Sequence, residues 1–225
     1  MENVAMLWTG GKDSALALHK AIQKGYTVSC LVTFAPENPN FLAHPLSLME
    51  MQAEALGLPH YILTIDAPYD KSYEDSLRWL RDELNIEGVV TGDIDLVQGS
   101  ANWIRERCCP LNLDVYTPLW ECDRASLLQG LIDEGFSVYI TCINTRWLDE
   151  TWVGRELNLA TLADLQDASE QGTLDLCGEQ GEYHTMVVDG PQFNQRIEIG
   201  AYTTRTRDNY VYMDIYEMIA NEKRG

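Results

Sequence analysis

Trp8-Thr9-Gly10-Gly11-Lys12-Asp13-Ser14 lies where an apolar run, Val4 to Trp8, gives way to an amphipathic stretch that begins near Asp13. A strand that feeds a helix through two adjacent glycines is suited to holding a nucleotide's phosphates. The glycines let the backbone turn tightly and bring unshielded amides close to an anion, and the helix adds free N–H groups and its positive dipole end. Lys12 supplies a mobile cation and Ser14 a hydroxyl donor. The spacing is not that of the Walker loop, because the glycines are contiguous and an Asp precedes the Ser. A Gly-rich strand-to-helix turn that binds nothing is the other reading of the same residues.

Outward from this loop the pattern alternates. Strand Val4 to Trp8, helix Asp13 to Lys24 closed by Gly25, strand Thr27 to Phe34, and helix Pro45 to Leu56 closed by Gly57 come first. Strand Tyr61 to Ile65 follows, then a helix from about Lys71 to Leu84 with the stripe Tyr73, Leu77, Leu80 and Leu84. Strand Gly88 to Thr91, a helix from about Val97 to Cys109 and a short strand Asp114 to Tyr116 complete the series. Such alternation predicts an α/β fold with a doubly wound parallel sheet, its ligands gathered at the carboxyl ends of the strands. The loops after Trp8, Phe34 and Thr91 should therefore converge. Around Pro118 to Asp123 the rhythm changes, which puts a boundary near residue 121 between an N-terminal domain, 1–121, and a smaller C-terminal α+β domain, 122–225. The latter is expected to hold a helix (Ser126 to Glu134), a strand (Ser137 to Ile143) and a polar helix (Leu159 to Ala168). Antiparallel strands carrying Ile197 and Ile199, then Val211, Met213 and Ile215, would flank a turn at Arg207, Asp208 and Asn209.

Composition narrows the partners. The chain has 225 residues, 45% of them hydrophobic, enough for a core. Its 35 acidic against 16 basic residues give a formal charge of −19, which disfavours nucleic acid, since backbone phosphates need a basic surface. No apolar run is long enough for a membrane span and no export leader is read at the N-terminus, so a cytoplasmic protein is expected. The six cysteines, Cys30, Cys108, Cys109, Cys122, Cys142 and Cys177, form no Cys-x-x-Cys pair, and adjacent Cys108 and Cys109 read as buried or half-buried packing residues. Trp8, Trp120, Trp147 and Trp152 likewise read as packing residues.

A second constellation, Cys177-Gly-Glu-Gln-Gly-Glu-Tyr-His184-Thr-Met-Val-Val-Asp-Gly-Pro191, sets two carboxylates, a phenol and an imidazole among glycines. Glu179 and Glu182 could bind Mg²⁺ or an ammonium group, and His184 could move a proton near neutral pH. Residue types alone leave open an acidic surface loop capped by a half-buried Tyr-His pair.

The first loop resembles the Ser-Gly-Gly-x-Asp-Ser pyrophosphate-binding motif of the N-type ATP pyrophosphatases, with Thr9 for the first Ser. The run Cys-Gly-Glu-x-Gly-Glu-Tyr-His-Thr followed by Asp-Gly-Pro resembles the signature of the diphthine–ammonia ligase family. Gly92-Asp93-Ile94-Asp95, Pro118-Leu119-Trp120 and Leu148 to Glu156 are similar to further blocks of that family in the same order, so the likeness covers nearly the whole chain. It implies an N-terminal domain of the HUP type, built like the adenine nucleotide alpha hydrolases, and a reaction that turns the diphthine carboxylate on translation elongation factor 2 into an amide with ATP and ammonium.

Carried over by position, the resemblance assigns Thr9, Gly10, Gly11, Lys12, Asp13 and Ser14 to the triphosphate and the strand end at Phe34 to adenine. His44 would line the nucleotide pocket or else merely precede or cap a helix. Gly92 and Asp93 would lie beside the α phosphate, with Asp13 and Asp93 as Mg²⁺ ligands, although Asp93 could instead cap the next helix; Asp95 is a weaker candidate. Arg155 would clamp a carboxylate or phosphate, or pair with Glu150 or Glu156. Cys177, with a glycine neighbour that makes exposure feasible, and Gly178, Gly181 and Tyr183 would face the substrate, while Lys12, Asp93, Glu179, Glu182 and His184 would carry catalysis. The implied chemistry is adenylation of a carboxylate with release of pyrophosphate, then amidation with release of AMP. Expected partners are ATP, ammonium, a carboxylate that is either protein-bound diphthine or a small metabolite, and a second copy of the chain. A nucleotide sensor without turnover and a tRNA-modifying enzyme are the rival readings, the second opposed by the charge.

Overall fold

The computed structural model describes residues 2–96, 102–172 and 174–223. The N-terminal alternation folds as β1 (Asn3–Leu7), α1 (Lys12–Gln23), β2 (Thr27–Ala35), α2 (Leu46–Leu56), β3 (His60–Thr64), α3 (Tyr69–Leu84), β4 (Gly88–Val90), α4 (Trp103–Cys108) and β5 (Asp114–Tyr116). Residues 97–101, where the sequence opens the helix that becomes α4, lie outside the described residues. That helix passes into a three-ten turn at Cys109–Leu111, because Pro110 has no N–H to continue the ladder. Cys109, expected to be buried or half-buried, is exposed on this turn, whereas Cys108 is buried.

The five strands pair in the order β3-β2-β1-β4-β5, all parallel. Val4, Ala5 and Met6 of central β1 are buried in succession, the unbroken apolar run of a strand covered on both faces. Ala5, Cys30, Val32 and Val89 share a core with Leu77 and Leu80 of α3 and with Ile104 and Cys108 of α4. The helical stripe read from the sequence is therefore the buried face of α3. Strand order reverses between β1 and β4, which is the switch point of this doubly wound sheet.

Downstream lie α5 (Arg124–Asp133), β6 (Ser137–Asn144), α6 (Leu159–Gln171), β7 (Tyr183–Asp189), β8 (Gln195–Arg207) and β9 (Tyr210–Glu222). They form a separate antiparallel sheet ordered β7-β6-β9-β8. β8 and β9 make a long hairpin that reverses through Asp208 and Asn209, with Asp208 at φ 53; Arg207, assigned to the turn from sequence, pairs with Tyr210 as the last residue of β8. β7 was not anticipated. The polar run of residues 177–184 read as loop, yet Thr185, Met186, Val187 and Val188 after it are buried strand residues.

The chain divides into two compact units. The first holds Met1–Thr9, Asp13–Asn40 and Leu58–Glu121, and the second holds Gly10–Lys12, Phe41–Gly57 and Cys122–Gly225. The glycines of the first loop, Lys12 and all of α2 thus belong with the antiparallel sheet. No described helix is long and apolar enough to cross a membrane.

Candidate functional site

Within the second unit, the loop after β1 is held by partners from far along the chain. Gly10, at φ 78, offers its carbonyl to Val187 N (3.0 Å) and to Gln52 Nε2 (2.9 Å), and Gln52 Nε2 also reaches Val187 O (2.7 Å). A Cβ on Gly10 would stand 2.7 Å from Gln52 Oε1, so both the positive φ and the close approach require glycine. Lys12 N donates to Thr185 Oγ1 (3.1 Å), and Lys12 Nζ donates to Cys177 O (2.5 Å) with the Tyr183 ring centroid 5.4 Å away. At 3% exposure, Lys12 is a fixed and desolvated cation, not the mobile one its sequence context suggested.

His44 stands beside this lysine. Its Nε2 lies 2.6 Å from Thr185 O, and because a carbonyl only accepts, Nε2 carries the proton and the neutral ring keeps its lone pair on Nδ1. Burial, then the neighbouring His184 and Lys12, push His44 down to about 4 against the opposing Thr185 bond, so the ring is neutral at pH 7. The His44 and His184 rings meet edge to face, 5.8 Å apart at 85°. Pro45, not His44, occupies the N-cap of α2.

The first unit holds Thr9, Asp13 and Ser14, the remaining residues of this stretch. Thr9 Oγ1 donates to Ser14 Oγ (3.3 Å) at the start of α1. A Cβ on Gly92 would fall 2.7 Å from the Asp13 carbonyl carbon and 2.8 Å from Ser14 N, so only glycine lets the loop after β4 abut the start of α1. The expected convergence of the Trp8 and Thr91 loops is thus a backbone contact. Thr33 Oγ1, one residue before Phe34, donates to Trp8 O (2.7 Å). Phe34 meets Tyr73 edge-on at 5.0 Å, and Tyr73 lies 4.3 Å from Trp103. Asp93 Oδ2 accepts from Thr91 Oγ1 and Asn102 Nδ2, both at 2.7 Å, and Asn102 in turn caps α4. Asp93 therefore orients a cap without being one. Among the described residues its Oδ1 accepts no hydrogen bond. The carboxylates of Asp13 and Asp93 are hard oxygen donors of the kind that, with phosphate oxygens, suit Mg²⁺. No group of three or more metal-ligating side chains occurs among the described residues. Asp95 is exposed and accepts from the adjacent Leu96 N.

The second constellation is a turn that consumes much of its own polarity. Glu182 is fully buried; its Oε1 accepts from Asp175 N (2.7 Å) and its Oε2 from Gln180 N (2.9 Å). Asp175 Oδ1 accepts from Cys177 N (2.8 Å), its Oδ2 meets Arg124 Nε (3.3 Å), and Tyr183 OH donates to Leu176 O (2.7 Å). Gly178 and Gly181 take φ of 79 and 83. Cys177 is buried rather than exposed, with Sγ toward Arg124 O (3.6 Å). Glu179 is exposed on the turn and His184 half-buried at the head of β7.

Residues 2–113 match the diphthamide synthase N-terminal domain and residues 123–220 the diphthamide synthase C-terminal domain. The chain belongs to the diphthamide synthase family. A diphthine–ammonia ligase of Danio rerio is 27% identical over 225 residues, which cover 89% of this chain and 88% of that protein. The Homo sapiens diphthine–ammonia ligase is 26% identical over 219 residues, covering 86% and 81%. The Schizosaccharomyces pombe protein of the same name is 27% identical over 85% of this chain but only 35% of its own length. The solved structure of a predicted subunit of tRNA methyltransferase from Methanocaldococcus jannaschii shares 25% identity at a TM-score of 0.44, over 61% of this chain and 77% of that one.

Two residues that hold the loop of this diphthamide synthase family member escaped the sequence reading. Gln52 is fully buried between Leu48, Met49 and Ala53 on the apolar face of α2, and an amide at a core position of a helix was the available signal. Thr185 belonged to the family signature but was given no role, although it serves Lys12 and His44 together. Arg155 pairs with Asp164, not with Glu150 or Glu156, and its guanidinium lies 4.2 Å over the Trp152 ring. Trp8 and Trp152 are buried, as packing residues should be.

Proposed function

We propose that this protein is an AMP-forming carboxylate–ammonia ligase of the diphthine–ammonia ligase type. A carboxylate oxygen of the acceptor attacks the α phosphorus of ATP, the bond to the β phosphate breaks and pyrophosphate leaves. Ammonia then attacks the acyl carbon of the acyl-adenylate, loses a proton and expels AMP, giving the amide. Residues 1–121 would bind the nucleotide and 122–225 the acceptor, a division in keeping with the family matches on either side of residues 114–122.

The observation that carries this reading is the fixed cation Lys12, buried in a glycine loop at a strand-to-helix junction and tied to the family's Cys177-to-Thr185 signature. Preorganised charge of this kind stabilises a departing pyrophosphate without reorganisation during the reaction. The backbone from Thr9 to Ser14 would hold the phosphates, with adenine at the end of β2 by Phe34. Asp13 and Asp93 would hold Mg²⁺ near Gly92, where the ion would neutralise phosphate charge. His44 and His184, beside Lys12, are groups able to take the proton that ammonium must lose, and Glu179 is a carboxylate able to bind it. A cytoplasmic site of action, where ATP and ammonium meet, goes with this proposal.

Exchange of labelled pyrophosphate into ATP tests it. The purified protein with Mg²⁺ should show exchange only when an acceptor is present, either diphthine-bearing elongation factor 2 or one member of a panel of small carboxylic acids, and Asp13→Ala should abolish it. Tight ATP binding without exchange for any acceptor would put a nucleotide sensor in place of the ligase.

A further inference from the structure

We infer that Glu182 is a positioning residue that acts through the Cys177 carbonyl to set the Lys12 ammonium, and that the Asp175–Tyr183 turn is the device that does so. This assignment rests on the ligase reading for its consequence but on the geometry of the second unit for its substance.

Four observations converge. First, Glu182 is withdrawn from solvent, and its two oxygens are taken up by the amides of Asp175 and Gln180, seven and two residues upstream, which closes the turn from both ends. Second, the turn is stitched again inside that closure, by Asp175 Oδ1 on Cys177 N and by Tyr183 OH on Leu176 O. Third, Glu182 O accepts from Asn144 N (2.8 Å), which anchors the closed turn to β6. Fourth, the Cys177 carbonyl that emerges from the turn receives Lys12 Nζ at 2.5 Å.

A carboxylate that accepts two backbone amides is a strong clamp, because each bond is charge-assisted and a fully buried carboxylate has no water to take their place. Gln cannot replace it, since one of its terminal atoms would present N–H to a backbone N–H. Lys12 carries a long side chain with several rotatable bonds, and a carbonyl in a fixed place selects one ammonium position among many. The family signature thus supplies a backbone oxygen at a set location, and its second glutamate contributes by shape where its composition suggests acid–base chemistry.

The test reads Lys12 directly. Pulse labelling with trinitrobenzenesulfonate followed by peptide mass spectrometry gives the reactivity of the Lys12 amine relative to exposed lysines of the same chain. Glu182→Gln, shown to be folded by circular dichroism, is expected to raise Lys12 labelling about tenfold, the effect of losing one such bond. Glu179→Gln, in the same motif but on its exposed side, should leave that labelling at the wild-type level. Tyr183→Phe, which removes only the hydroxyl on Leu176 O, should raise it a few-fold and decides the matter if Glu182→Gln does not fold. In the exchange assay, Glu182→Gln should lower kcat with little change in the KM for ATP, and added Mg²⁺ should not rescue it. Lys12 equally protected in wild type, Glu182→Gln and Tyr183→Phe would overturn the assignment. Absence of exchange in the wild type, with the labelling differences intact, would sink the ligase reading and leave the positioning device standing.

Discussion

The Gly10–Lys12 loop is held from outside by groups far along the chain, whereas the Asp175–Tyr183 turn is held largely from within by its own carboxylates. Gly10 O and Lys12 N are bound by Gln52, Val187 and Thr185, up to 177 positions away. Asp175 and Glu182 instead accept amides within seven residues of themselves. The first loop is thus shaped by the packing of α2 and β7, and the second carries its shape wherever the sheet presents it. A dense cluster of acids in a sequence is therefore no count of catalytic acids, because a tight turn with few apolar residues must find its acceptors locally.

The sharpest way to break this contrast is to remove the cation at which the two regions meet. Lys12→Met should lower acceptor-dependent exchange by about 10²- to 10³-fold, the range for deleting one preorganised electrostatic partner of a developing anion. A loss of less than threefold would show that the buried ammonium serves packing alone. Next in size is Gln52→Leu, which keeps the volume but takes a donor from both Gly10 O and Val187 O. Urea unfolding should show a loss of about 2–3 kcal/mol, and an unchanged midpoint would mean that the loop does not depend on its outside support.

The histidines sharpen the contrast through pH. The folded-state value of His44, about 4, lies below its unfolded value near 6.5. The contribution of the neutral ring is therefore fully present above pH 6.5 and is lost as pH falls toward 4, where the unfolded chain binds the extra proton. Wild type should lose about 2 kcal/mol more than His44→Gln across that window, given that the ring is only partly shielded from solvent. Parallel pH profiles would place the ring outside the desolvated cluster of Lys12, His184 and Thr185. The smallest effect belongs to Gly181, at φ 83 with open space beside it, where Ala should cost about 1 kcal/mol from backbone strain alone. Gly178→Ala should cost more, since its Cβ would meet Tyr183 O at 2.8 Å, and equal losses at the two sites would show that the turn yields easily.

Much of the N-terminal alternation of strands and helices was legible before folding because its signals are local. Gly57 closes α2 in the left-handed region, as a helix followed by glycine should. Tyr73, Leu77, Leu80 and Leu84 repeat at helical spacing, and each strand is a short apolar run between turn residues. β7 was missed for the opposite reason: Tyr183 and His184 of the polar signature are its first two residues, so its apolar run does not begin until Met186. The allegiance of α2 was equally hidden. Its amphipathic face says that it is buried, but not that Ala55 O would receive Asn194 N at 2.6 Å in the second unit.

By itself the sequence determined the alternation of strands and helices, the glycine loop after β1, the all-β character of the C-terminal end and, through its ordered signatures, the diphthamide synthase family. These are matters of short-range periodicity, of where only glycine fits and of residue order, all of which survive in one dimension. Only the tertiary structure decided which polar groups are already in use. Glu182 is occupied by amides, Cys177 is buried, Arg155 is taken by Asp164 and Trp152, and Lys12 is bound to a carbonyl 165 positions away. A hydrogen bond depends on a few ångströms of space and not on distance along the chain, so a residue's chemistry becomes readable once its neighbours are known.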